Sequence, residues 1–257
     1  MKIENLIKTG RIFFAVAIGF FGVQYLIYAS GSGGPAPGPP WTPGPRPWAY
    51  VIGGALVLVG LSIATGKLAR LAAVLLGTGL LLRVLIVYVL RVLANLHDPG
   101  PWTSGGEVLA MCGGGFVLAG TLSGGAFNPK LQGSKSDRMT QLGRYLYALP
   151  LFIFGTQHLM YAKFVATLVP AWIPGHLFWA YFVGIAFFAA GLLIIARKLA
   201  PLAATLLGLM FLLWVILLHL PRVAAAPRDG KEWTSAFVAL AMSGGAFALA
   251  GALARRE

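Results

Sequence analysis

Acidic side chains are the scarcest chemistry in this chain: seven Asp and Glu stand against twenty Lys and Arg in 257 residues. Charged residues of both signs reach only 11%. A soluble domain carries roughly 25%, so this sequence lacks the polar surface to cover a water-soluble globule. The single cysteine, Cys112, excludes an intrachain disulfide and a CxxC redox pair. There is no nucleophile–base pair, carboxylate dyad, phosphate-cradling glycine loop or zinc-ligand spacing, which excludes hydrolytic and phosphoryl-transfer chemistry. The basic excess, a formal +13, is not interleaved with aromatics as in a nucleic-acid patch, so no nucleic-acid partner is expected.

What fills the space is hydrocarbon. Apolar residues make up 58% of the chain and the mean hydropathy is +0.80. Eight apolar runs, 12–29, 48–65, 71–93, 105–127, 145–162, 177–196, 199–220 and 234–253, are each long enough to cross a bilayer as a helix. They are apolar all round and lack period-2 alternation, which predicts helices and not barrel strands. The expected fold class is therefore an all-α membrane protein with eight transmembrane helices, and the lipid bilayer is its first partner. Lys2, Lys8 and Arg11 ahead of an apolar core, with Tyr28-Ala29-Ser30 behind it, imitate a cleavable signal peptide. The same residues recur inside the chain, so the segment is read as a helix.

That recurrence runs through the whole sequence. Phe21-Gly22-x-Gln24-x-Leu26-x-Tyr28 returns as Phe154-Gly155-x-Gln157-x-Leu159-x-Tyr161. Trp48-Ala49-Tyr50 returns as Trp179-Ala180-Tyr181, and Lys67-Leu68-Ala69 as Lys198-Leu199-Ala200. Asp98 and Trp102-Thr103-Ser104 return as Asp229 and Trp233-Thr234-Ser235. Two four-helix units follow, 1–127 and 144–257, joined by a polar linker at 128–143. Four crossings bring a chain back to its starting side, so the units are expected to be parallel, same-orientation repeats. Lys and Arg concentrate at the termini, the linker and the 2–3 and 6–7 turns, which predicts that both termini are cytoplasmic.

The repeated polar residues gather at the opposite end of the helices. Gln24 and Tyr28, with their counterparts Gln157 and Tyr161, are costly in lipid unless bonded, so they are expected to face the bundle. Arg91 and Arg222 close helices 3 and 7, and Trp102 and Trp233 open helices 4 and 8. Two readings stay open: interhelical hydrogen bonds with an aromatic belt, or a ligand pocket lined by these groups. The units also diverge, and divergence marks where one has specialised. His158 stands at the position of Tyr25, His219 at Tyr88, Trp214 at Arg83 and Val238 at Glu107. An antiparallel hairpin of helices 3 and 4 brings Arg83 and Glu107 together either as a buried ion pair or as an anion or quinone-carbonyl site. A haem or metal held by His158 and His219 has no support from spacing. Cys112, whose counterpart is Ser243, reads as a small packing residue. The proline-rich segment Gly31 to Pro47 reads as an irregular cover, and Lys163 to Pro174 as an interfacial segment or lid.

Each unit resembles the DoxX-like family of four-helix bacterial membrane proteins. The likeness is carried by Gly143-Arg144, Phe154-Gly155-x-Gln157-His158, the Phe164-to-Pro174 segment and the helix start Trp233-Thr234-Ser235. The family includes the DoxD-type subunit of thiosulfate–quinone oxidoreductase and partners of oxidant-defence complexes. The resemblance implies an inner-membrane location and a quinone- or lipid-interacting subunit with redox-complex partners. The alternatives are a structural subunit without chemistry and a small-molecule transporter, which would want a polar midplane site and a broken helix. The residues singled out for a ligand are Gln24, Tyr28, Arg83, Glu107, Gln157, His158, Tyr161, His219, Arg222 and Trp233.

Overall fold

A computed structural model describes residues 3–30, 45–122 and 135–255, and among these there are helices and turns but no strand. The long helices are α1 (Ile3–Ala29), α2 (Pro45–Thr65), α3 (Ala69–Ala94), α4 (Pro99–Thr121) and α5 (Lys135–Met160). A short α6 (Ala162–Ala166) leads to α7 (His176–Ala196), α8 (Ala200–Ala225) and α9 (Gly230–Ala254). Six of them, α1, α2, α3, α7, α8 and α9, are long and apolar enough to cross a membrane. Large side chains such as Leu58, Leu71, Leu75, Leu90, Ile185 and Leu206 point outward from α2, α3, α7 and α8. A soluble monomer does not expose so broad an apolar belt, and this surface fits an integral membrane protein in contact with lipid.

Helices α4 and α5 reach 23 and 26 residues but are diluted by polar and small residues. In α4 these are glycines and Glu107; in α5 they are Arg144, Tyr145, Tyr147, Gln157 and His158. The dilution follows from position. Every residue of α4 from Ala110 to Ala119 is buried, and 83% of the apolar stretch of α9 is buried, against 22% for α2 and for α3. An inner helix needs close approach more than oiliness, and small residues supply it. Gly114 and Gly245 bring the backbones of α4 and α9 together at the centre of the bundle. Gly113 packs on Gly143 of α5, and Gly244 on Gly10 of α1. Outside this core, α2 seats on α1 through Gly22, Gly53 and Gly60, with α3 on α4, α7 on α5 and α8 on α9.

Local features recur at an offset of 131 residues. Asp98 caps α4 by accepting from the Gly100 N–H at 2.9 Å, and Asp229 caps α9 by accepting from Lys231 at 2.8 Å. Trp102 Nε1 donates to the Leu96 carbonyl, and Trp233 Nε1 to the Pro227 carbonyl. Cys112 Sγ lies 3.1 Å from the Gly77 carbonyl, where Ser243 Oγ donates to Gly208 at 2.8 Å. The cysteine is thus the small packing residue that its counterpart implied.

Two expectations are corrected. The polar linker does not extend to residue 143, because α5 begins at Lys135. Asp137 in its first turn suits the positive end of a helix dipole, so these polar residues extend the helix beyond its apolar stretch. Likewise α2 begins at Pro45, inside the segment read as irregular cover, since proline is at home in a first helical turn. The rest of that cover, 31–44, lies outside the described residues. Helices α3 and α8 each carry a π-helical turn, at Val84–Tyr88 and Val215–His219.

Candidate functional site

The residues singled out by sequence fall into separate clusters. Gln24 reaches across to α9: its Nε2 donates to the Gly230 carbonyl at 3.1 Å and to Thr234 Oγ1 at 2.9 Å. Gln157 does the same to α4, donating to the Pro99 carbonyl at 3.0 Å and accepting from Thr103 Oγ1 at 2.8 Å. Each glutamine therefore binds the first turn of a helix more than fifty residues away, engaging a backbone carbonyl and a threonine hydroxyl there. These are bonds of the interhelical kind. Changing Gln157 to leucine removes its bonds to Thr103 and Pro99 and costs about 1–2 kcal/mol. Thermal unfolding in detergent should show Gln24→Leu and Gln157→Leu lowering stability comparably and close to additively.

Tyr28 packs half-buried against the small cluster of Tyr25, Ala29 and Ala49. Tyr161 is exposed at the start of α6. Arg222 donates from Nη2 to the Leu168 carbonyl at 3.2 Å, pinning the 162–174 segment to the end of α8. Trp233 lies against Phe20 and Phe237, whose rings stack at 3.7 Å. These residues build the rim of the bundle.

The divergent positions behave differently. Arg83 Nη1 donates to the Tyr25 hydroxyl at 3.0 Å, and its guanidinium lies 5.9 Å from the centre of the Tyr88 ring. No ion pair joins Arg83 to Glu107 among the described residues. The physical reason is helical phase. Gly105, Cys112 and Phe116 form the α4 face that meets Tyr88 and Gly77 of α3. Glu107, about 200° round from Gly105, points away from α3. Sequence divergence had marked Tyr25 and Tyr88 only as counterparts of histidines; the structure makes them the partners of Arg83.

In the other half the equivalent positions are packed shut. The His158 ring stacks on Trp214 at 6.1 Å and meets the edge of Phe187 at 5.2 Å. Its Nδ1 donates to the Phe154 carbonyl at 2.8 Å. His219 sits in the π-helical turn with a buried Nδ1 that has no partner among the described residues. No group of three or more His, Cys, Asp or Glu gathers to hold a metal among the described residues.

No family model, curated protein or solved structure matches this chain. Function must therefore be argued from the site. Arg83 is held by two tyrosines and offers further N–H donors; its buried Nε has no partner among the described residues.

Proposed function

We propose that this is a DoxX-like inner-membrane protein that binds a quinone or similar lipid-soluble carbonyl compound as an accessory subunit of a redox system. In this reading all eight long helices span the membrane. The span lengths of α4 and α5 support it, and their low apolarity is explained by burial within the bundle. The paired caps and indole contacts at an offset of 131 residues support two parallel four-helix units. The distribution of Lys and Arg supports cytoplasmic termini in a bacterial inner membrane.

The observation that carries the functional reading is the Arg83–Tyr25 pair. A guanidinium about 16 Å below the end of α3 is expensive in a membrane unless an acceptor uses it. A phenol takes one donor, which leaves capacity for a carbonyl oxygen. Gently purified protein should carry quinone detectable by mass spectrometry, and added short-chain quinone should raise its melting temperature. Arg83→Gln is expected to weaken that binding about tenfold or more, the worth of a charged hydrogen bond. Protein that purifies without quinone or protein partners and shows no quinone-induced shift would overturn the reading.

A second reading, a structural subunit, is favoured by the Gln24 and Gln157 bonds, which serve cohesion alone. It predicts that Arg83→Gln changes stability but no ligand response.

A further inference from the structure

Arg11 of α1 is the counterpart of Arg144 in α5, and the two halves use this arginine differently. Arg144 is buried and gives its donors to the last carbonyls of α7. Arg11 is half-buried, and its Nη1 reaches the turn between α2 and α3, 3.8 Å from where a Cβ on Gly66 would stand. Its buried Nε has no partner, and no hydrogen bond or ion pair holds its guanidinium among the described residues. Three exposed cations stand beside it: Lys8 one turn earlier on α1, Lys67 next to Gly66, and Arg70 in the first turn of α3. The acid on α1, Glu4, stands about 10 Å along the helix from Arg11 and pairs with none of them among the described residues. The second half does not repeat the cluster. Gln141 and Pro201 take the places of Lys8 and Arg70, and Arg197 takes the place of Gly66.

We infer that Arg11, Lys8, Lys67 and Arg70 form a binding site for the phosphate of an anionic phospholipid. Four cations with no acid among them call for an anion, and the planar donors of arginine match phosphate oxygens. Depth and surroundings select a lipid. The apolar stretch of α1 starts at Ile12, α2 ends at Thr65 and α3 begins at Ala69, so the cations gather where the hydrocarbon ends. Basic residues at that level attract anionic headgroups. Below them Leu58 and Leu61 of α2 and Leu71 and Leu75 of α3 are exposed. Leu68, on a left-handed backbone with φ 55°, is 74% exposed beside Lys67. A free anion gains nothing from these leucines, whereas a phospholipid sets its phosphate among the cations and lays its chains along the leucines. The site lies at the opposite end of α1 from Gln24 and Tyr28, and it stands independently of the quinone reading.

The test is the melting temperature of the full chain in an uncharged detergent, titrated in parallel with phosphatidylglycerol, phosphatidylcholine and inorganic phosphate. A ligand that binds the folded chain raises it, and the titration gives an apparent affinity. Phosphatidylglycerol should act saturably and at about tenfold lower concentration than phosphatidylcholine, the loss of one charge-assisted contact. Arg11→Gln should weaken the phosphatidylglycerol response about tenfold. Arg70→Gln, a change at an exposed position, should weaken it about fivefold, the worth of one basic side chain at an anionic surface. Lys198→Gln removes the same charge from the equivalent turn of the second half and should change it less than about twofold. If Arg11→Gln does not fold, the contrast between Arg70→Gln and Lys198→Gln decides alone. Equal weakening by the first-half and second-half variants means that binding follows overall charge, and the site is overturned. No weakening by either first-half variant, or no response to phosphatidylglycerol, overturns it too. Inorganic phosphate acting as strongly as the lipid would remove the lipid from the proposal.

Discussion

Replacing Gly10 by valine is expected to prevent recovery of folded, monodisperse protein. A Cβ at this position would stand 2.5 Å from the Gly244 carbonyl oxygen and closer still to the Ala248 nitrogen, both backbone atoms of α9. Side chains give way to an added methyl at a cost of about 1–3 kcal/mol, but two backbones must separate, so the penalty exceeds that range. The α1–α9 contact would open along its length, taking with it the Phe20–Phe237 stack and the Gln24 bonds. Gly79→Ala is the control. Nothing lies within 4 Å of a Cβ there, and removing a helix-interior glycine should stabilise by about 0.5–1 kcal/mol. Size-exclusion profiles and melting temperatures of the two variants decide the matter. A folded Gly10→Val protein with native stability would contradict this packing.

Arg144→Met is the second large effect expected. Arg144 is 3% exposed, and its Nη1 donates to the Ile194 and Ile195 carbonyls at 3.2 and 3.3 Å. These are last-turn carbonyls of α7, where intrahelical partners run out; that of Ile194 also accepts the Arg197 N–H at 3.4 Å. Its guanidinium also lies 4.4 Å from the centre of the Tyr145 ring. Methionine matches much of the bulk and none of the donors. The loss should be about 2–3 kcal/mol, the value of bonds to a charged donor when the acceptors stay buried. Arg144→Lys should recover part of it, since an ammonium still donates but lacks the planar fork. Denaturation in mild detergent gives the ranking, and an order with lysine no better than methionine would remove the hydrogen bonds from the explanation.

The sequence showed the long helices through uninterrupted hydrocarbon, and the paired residues through identity at a fixed offset. Neither signal says which helices touch. Gln24 was legible as a residue needing a partner; that the partner is Thr234, far along the chain, depends on α1 packing against α9. The expected meeting of Arg83 and Glu107 failed for a related reason. Antiparallel neighbours share depth, but phase decides contact, and Glu107 is turned away from α3. Helices α4 and α5 were read as spans from their length; they fall outside the six apolar enough to cross a membrane, since inner helices trade leucine for glycine. The π-helical turns left no trace that a 3.6-residue period reveals. The pairing of Arg83 with Tyr25 was half visible: both positions differ between the units, but nothing in the order of residues says they meet.

The π-helical turn at Val84–Tyr88 has a consequence for any reading of α3 by periodicity. One extra residue in a turn advances the angular phase of all that follows by about 100°. Residues 89–94 therefore belong to a different wheel from residues 69–83, and a single wheel drawn through Arg91 puts the outer turn on the wrong side. The same offset keeps Tyr88 over Gly105 while Arg83 looks toward Tyr25. A one-residue deletion there would restore a regular helix and rotate these two partners out of step.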